Sequence, residues 1–247
     1  MGYSTRSNQI LELLRKTGTA QASQLSELLH VSLVTIRKDL QRMEDEGLLH
    51  RTHGGAVIRE QPGSQDPRMD AMAAIAEKVV REIAEGDCVI MNAGNTTLLA
   101  ARKLLGRKSI TIITNSIAIA RELVQQTGIK LIFLGGEVNA EAVFTYGWDA
   151  VTQLEQYKAN KLILSVSGLS CSTGLTTRHM EAADLLRKMI ARTQTVIAVA
   201  DDTKIGFESF YHVGDLDVVD MLITNGTGHT EEELQQIEAH GIQVCRC

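Results

Sequence analysis

From position 69 to the C-terminus, short runs of apolar, β-branched residues alternate with segments of helical periodicity. The runs are DCVIM (Asp87–Met91), ITII (Ile110–Ile113), KLIFL (Lys130–Leu134), KLILS (Lys161–Ser165), TVIAVA (Thr195–Ala200), VDMLIT (Val219–Thr224) and Ile242–Cys245. Between or before them lie helical stretches over Met69–Ala84, Asn95–Leu105, Ser116–Gln126, Trp148–Gln156, His179–Arg192 and Glu231–Ala239. Strands that are apolar throughout must be covered on both faces, and crossovers through helices make successive strands parallel. The expected architecture is therefore a mostly parallel α/β domain over 69–247.

The first 58 residues read differently. Helical patterns at Ser4–Lys16 and Ala22–Leu29 are followed by the turn His30-Val31-Ser32 and a third helix. Ile10, Leu11, Leu13, Leu14, Leu25, Leu28 and Leu29 are expected to point inward. Ser32 is a good N-cap, Ile36, Leu40 and Met43 form one helical face, and Gly47 is a helix stop. His50, Arg51, His53, Gly54-Gly55 and Val57-Ile58 then suggest a two-stranded wing. Three helices and a hairpin make a winged helix-turn-helix. Arg59–Met69 holds both prolines of the chain and reads as a linker over 59–68. The division is thus 1–58, 59–68 and 69–247.

The third helix can lie in a DNA major groove. Thr35, Lys38 and Arg42 line its outer side with Arg37 flanking them, and Ser32, Leu33 and Val34 stand at its N-terminal end. Arg and Lys reach guanine edges or phosphates, a threonine hydroxyl meets a phosphate, and Leu33 or Val34 can touch a thymine methyl. Arg51 and His53 on the wing would hold a neighbouring phosphate or minor groove. Charge alone does not decide this. Residues 1–60 carry eight Lys+Arg against seven Asp+Glu, which an ordinary solvated amphipathic helix would also show. The acids Glu44, Asp45 and Glu46, however, fall late in the helix, and the negative balance lies in residues 61–247, which carry 17 Lys+Arg against 23 Asp+Glu.

In open α/β sheets, ligands bind beyond the carboxyl ends of the strands. The segments expected there are rich in small polar residues: Asn92-Ala93-Gly94-Asn95-Thr96-Thr97, Thr114-Asn115-Ser116, Gly135-Gly136-Glu137, Ser165-Val166-Ser167-Gly168 with Gly174-Leu175-Thr176-Thr177 and Glu181, and Asp201-Asp202-Thr203-Lys204. Each alone is ordinary turn composition. Together on one sheet edge they describe a cleft for a small, polyhydroxylated, phosphorylated molecule. Glycine permits close approach, a helix N-terminus presents free N–H groups, the two threonine hydroxyls add donors, and Lys204 supplies a cation. No Walker lysine or G-x-G-x-x-G points to a nucleotide.

The order of these motifs resembles the DeoR-type bacterial transcriptional repressors. Ser32-x-x-Thr35-Ile36-Arg37-Lys38-Asp39-Leu40, Leu48-x-x-Arg51-x-x-Gly54-Gly55-Ala56, NAGNTT, TNS, LGGE, SGLS, GLTT and DDTKIG carry the likeness over essentially the whole chain. The resemblance implies a recognition helix in double-stranded operator DNA. It also implies a C-terminal domain similar to ribose-5-phosphate isomerase and sugar-phosphate deaminases that binds a phosphosugar inducer, and a homo-oligomer, dimer or tetramer. The matching sensor residues are Gly94, Thr96, Thr97, Asn115, Gly135, Gly136, Gly168, Thr176, Thr177, Glu181 and Lys204. The sequence departs from the family at Asn92 and Ser167, where Asp is common. The related enzymes use an acidic D-G-x-D-E-type loop; the stretch Ser165–Ser170 has no carboxylate, so a non-catalytic sensor is expected. An active isomerase or deaminase tethered to DNA is the alternative.

No apolar run reaches the ~20 residues of a membrane span. The four cysteines and the histidines, His179 included, lack metal-site spacing. No cofactor, metal or membrane partner is expected, and the setting is expected to be the cytoplasm.

Overall fold

Three helices close around one apolar centre at the N-terminus of the computed structural model, which describes residues 5–17, 19–45, 48–52, 54–58, 67–226 and 228–247. Helix α1 (Thr5–Thr17) leads through strand β1 (Thr19–Gln21) to α2 (Ala22–Leu28) and α3 (Leu33–Asp45), followed by β2 (Leu49–Arg51) and β3 (Gly55–Ile58). Ile10, Leu14, Leu25, Ile36, Leu40, Met43 and Leu49 are fully buried. Each is worth roughly 1.5–3 kcal/mol of burial. One leucine departs from expectation: Leu28, the last residue of α2, is 61% exposed, whereas Leu13 and Leu29 are half-buried and pack against this core. Ser32 caps α3 as expected, its hydroxyl accepting from the Thr35 N–H at 3.2 Å. Gly47 lies outside the described residues, as do 59–66 of the expected linker.

The wing has three strands, not two. They run in the order β1-β3-β2, antiparallel throughout. A three-residue strand is too short to show a period, so β1 was not legible. Gly55 is required by this pairing: a β-carbon there would stand 1.9 Å from the Ala20 carbonyl oxygen.

The chain separates into two compact units, Met1–Gln65 and Asp66–Cys247. The second opens with α4 (Pro67–Arg81), whose proline suits a first helical turn. It continues β4 (Cys88–Met91), α5 (Asn95–Lys103), β5 (Ile110–Thr114), α6 (Ile117–Leu123), β6 (Ile129–Phe133), β7 (Glu137–Asn139), β8 (Phe144–Tyr146), α7 (Trp148–Glu155) and β9 (Ala159–Ser165). Then follow β10 (Gly168–Ser170), β11 (Gly174–Thr177), α8 (Met180–Ala191), β12 (Thr193–Val199), β13 (Tyr211–Gly214), β14 (Met221–Thr224), α9 (Glu231–Ala239) and β15 (Gln243–Arg246).

The main sheet runs β15-β14-β12-β9-β4-β5-β6, and every neighbouring pair is parallel. The pleat sorts its residues by parity. Ile90, Leu162, Leu164 and Ala198 join Leu154, Leu186, Met189 and Ile237 in one apolar layer. Val89, Met91, Ile163 and Ile197 join Ile75, Val79, Leu104 and Ile119 in the other. Helices α4–α6 therefore cover one face and α7–α9 the opposite one. The chain steps outward from β4 to β5 and β6, then returns to β9 on the other side of β4. The carboxyl ends of β4 and β9 thus flank the topological switch point, where open α/β sheets hold ligands.

Two small antiparallel sheets sit beyond that edge: β7-β8 and β10-β11-β13. Gly168, Thr176 and Thr177, expected in loops, belong to β10 and β11. Their Gly/Ser/Thr composition hides the strand pattern, because the pairing partner Tyr211–Gly214 is distant in sequence.

Candidate functional site

On α3 the helical repeat of 100° per residue places Ile36, Leu40 and Met43 inward and Val34, Arg37, Lys38 and Gln41 outward. All four outward residues are exposed, as are Ser32, Leu33 and Arg42, and Thr35 is half-buried. Two expected DNA contacts are already engaged. The Arg42 guanidinium donates to Ser7 Oγ at 2.8 Å and stands 3.6 Å from Asp39. The Arg51 side chain donates to Gln41 Oε1, and its backbone N–H donates to Glu44 Oε1 at 2.8 Å. Arg51 thereby braces the wing on the helix. His53 lies outside the described residues. Gln41 was not foreseen: its amide accepts from Arg51 and donates to Asp45 Oδ1 at 2.9 Å, so it belongs to the brace between helix and wing.

At the switch point Asn92 is buried and its amide is spent on the fold. It donates to the Ser165 carbonyl and accepts the Ser165 N–H, both at 2.8 Å. It therefore stitches the ends of β4 and β9, an arrangement a carboxylate could not make because it has no donor. Gly94 presses against this seam: a β-carbon there would lie 2.6 Å from Ser165 Oγ. Asn95 is exposed at the start of α5. The Thr97 hydroxyl is directed to the carbonyls of Asn92 and Gly94, at 2.8 and 2.9 Å. It shapes the loop, so the expectation that both threonines offer donors is corrected for Thr97. Thr96 is 0% exposed, and its Oγ1 has no hydrogen-bond partner.

Asn115 extends the same cluster. Its amide donates to Thr145 O at 2.9 Å and accepts from Ala93 N at 3.2 Å. On the other side, Ser167 Oγ accepts the Arg178 N–H at 3.2 Å, and Thr176 Oγ1 donates to Gly168 O at 3.2 Å. Thr177 Oγ1 accepts the His179 N–H at 3.3 Å. Lys204 Nζ stands 3.7 Å from Asp201. Burial lowers its pKa below 10.5, Asp201 opposes that, and the Arg178 charge lowers it further. Glu181 accepts from Asn139 at 3.4 Å. His179 packs edge-on against Phe144, ring centres 5.6 Å apart.

Asn92, Gly94, Thr97, Asn115 and Ser165 are thus brought together at β4 and β9, and Ser167, Gly168, Thr176, Thr177 and Lys204 stand on the β9–β12 side. Gly135 and Gly136 do not join them. Gly135 donates to Gln153 Oε1 at 3.0 Å, and a β-carbon on Gly136 would meet the Tyr146 carbonyl at 2.4 Å. Both line a shallow apolar depression with Val124, Phe133 and Val138. Arg178 is the cation that sequence reading missed; its place directly after Thr176-Thr177 was the only signal. Among the described residues no three His, Cys, Asp or Glu side chains group as a metal site.

Two family descriptions match this chain: the DeoR C terminal sensor domain over residues 68–226 and the DeoR-like helix-turn-helix domain over residues 6–62. The chain belongs to the DeoR family. Among its relatives, the HTH-type transcriptional repressor GlcR of Bacillus subtilis is 35% identical, the match covering 87% of this chain and 86% of that protein. The HTH-type transcriptional regulator GlpR of Haloferax volcanii is 34% identical over 97% of this chain and 96% of that one. Among solved structures, ribose 5-phosphate isomerase A of Methanocaldococcus jannaschii aligns at 15% identity with a TM-score of 0.42, over 56% of this chain and 54% of that one. As a DeoR-family protein it is a DNA-binding transcriptional repressor whose hold on DNA is controlled by an effector at the C-terminal sensor domain. No described helix is long and apolar enough to cross a membrane.

Proposed function

We propose that this DeoR-family repressor governs an operon for carbohydrate uptake or catabolism and that a phosphorylated sugar is its effector. Ser32, Leu33, Val34, Thr35, Arg37 and Lys38 read duplex operator DNA, with Arg42 and Arg51 in supporting positions. The effector lies at the switch point among Gly94, Asn95, Thr96, Ser165, Ser167, Thr176, Thr177, Glu181 and Lys204, on walls set by Asn92, Thr97, Asn115 and Gly168. The protein works in the cytoplasm as a homo-oligomer, dimer or tetramer, since a two-fold operator calls for paired recognition helices. It needs no cofactor.

The observation that carries this reading is the Thr96 hydroxyl, buried without a partner in the first turn of α5. An unpaired buried hydroxyl costs about 1–3 kcal/mol. Beside it, α5 presents N–H groups that its own helix cannot use, and Gly94 lets the loop before them close against Ser165. A phosphate oxygen would satisfy all of these donors. Arg178 and Lys204 supply positive charge across the seam.

A sensor is favoured over an enzyme by where the carboxylates are. Glu181 is held by Asn139, and Asp201 accepts from Thr203 N and faces Lys204. No carboxylate lies in Ser165–Ser170. A thermal-shift panel of sugar phosphates, followed by DNA binding with each hit, tests the reading, because a true effector raises the midpoint. Turnover of any panel member would favour the isomerase alternative. Arg37→Ala should weaken specific DNA binding about 5-fold or more and leave effector binding unchanged; unaltered footprinting removes Arg37 from the contact list.

A further inference from the structure

We infer that Asp39 is a positioning residue for DNA reading: it sets the rotation of α3 upon α1, and that rotation decides whether Arg37 and Lys38 meet base edges. The inference rests on the proposal that α3 reads operator DNA. Asp39 sits in the family motif beside Lys38, yet it faces the other way. It is 7% exposed, within the inward face formed by Ile36, Leu40 and Met43. A carboxylate there is costly unless it is paired.

Its pairing is directional and ties α3 to α1, directly through Arg6 and by way of Arg42 to Ser7. Oδ2 accepts from Arg6 Nε at 2.6 Å. Oδ1 stands 3.6 Å from Arg42 Nη2, and that same nitrogen donates to Ser7 Oγ at 2.8 Å. Ser7 is 1% exposed. Adjacent residues of α1, Arg6 and Ser7, are thereby closed into one ring with Asp39 and Arg42 of α3. The leucine and isoleucine contacts around the ring are non-directional and would tolerate a turn of the helix; the charged hydrogen bonds would not. A rotation of about 20° moves an atom about 6 Å from the helix axis by about 2 Å. That exceeds what a hydrogen bond to a base edge permits.

A bystander role predicts the opposite sign. An acid near the DNA face repels phosphate, so removing it should tighten binding to any duplex. The test compares the full-length protein and its variants on two DNAs at one salt concentration: the duplex that the wild type enriches from a random-sequence pool, and an unrelated duplex of equal length. Asp39→Asn should bind the selected duplex more weakly and the unrelated one as tightly or more tightly, so that the ratio falls about 5-fold or more, the worth of one base contact. Tightening on both duplexes by one factor would overturn the inference. Should Asp39→Asn unfold the N-terminal unit, Arg6→Lys decides. It keeps the charge at a partly exposed site but loses the fixed fork; a lowered ratio supports the inference and a wild-type ratio overturns it. If Arg37→Ala also leaves the ratio at the wild-type value, it is the reading of α3 that has failed, not the role of Asp39 within it.

Discussion

Thr96 and Thr97 are neighbours of the same type, both fully buried, and they do opposite things. Thr97 directs its proton to the loop carbonyls; Thr96 has nothing to bond. Thr96→Val should therefore leave the thermal midpoint unchanged or raise it, since it removes an unsatisfied hydroxyl, while the midpoint rise caused by sugar phosphates shrinks. A variant that melts lower but keeps its full ligand-induced rise would place Thr96 in the core alone. Lys204 gives a pH dependence. Its folded pKa is lowered from 10.5, with burial the largest cause. Between that lowered value and 10.5 the unfolded chain holds more protons than the folded one, so this group makes stability rise with pH in that window. An anionic effector needs the ammonium, so its affinity should fall as pH rises through the same window. Titration calorimetry across alkaline pH should show that fall in the wild type and not in Lys204→Met.

At the scale of elements, the wing depends on β1, and β1 depends on the missing side chain at 55. Gly55→Ala would drive a β-carbon into the backbone of Ala20. It should destabilise the N-terminal unit by about 1–3 kcal/mol or more and abolish DNA binding, with sugar-phosphate binding intact. Gly54→Ala is the matched control, because its β-carbon meets only the end of the Gln21 side chain; it should melt within about 0.5 kcal/mol of the wild type. Equal melting of the two variants would show that the β1–β3 approach does not govern the wing. The main sheet was legible because fully buried strands announce themselves as apolar runs of Val, Ile and Leu. The small sheets β7-β8 and β10-β11-β13 were not, since Ser, Thr and Gly serve strands and turns alike there. The antiparallel registers Val138↔Thr145, Gly168↔Thr176 and Thr176↔His212 reveal them.

For the whole molecule, control of DNA binding by an effector is a coupling free energy between two sites, and it is reciprocal. If a sugar phosphate alters operator affinity by a factor between about 5 and 150, saturating operator DNA must alter sugar-phosphate affinity by the same factor. Titrating each ligand in the presence and absence of the other checks this; two factors that differ would mean that one ligand acts at a second site or through a change of oligomer.

The one-dimensional pattern of the chain determined its two-part organisation, the parallel sheet and the outward cations Arg37 and Lys38, because all of these follow from periodicity and from the exclusion of charge from apolar layers. What each polar residue does was decided only in three dimensions. Asn92 resembles a ligand-binding residue in sequence and proves to be a clasp, Arg42 resembles a DNA contact and is drawn to Ser7, and Asp39, an acid beside an exposed lysine, is buried. Hydrogen bonds form between groups far apart along the backbone, and no local pattern of residues specifies which donor will find which acceptor.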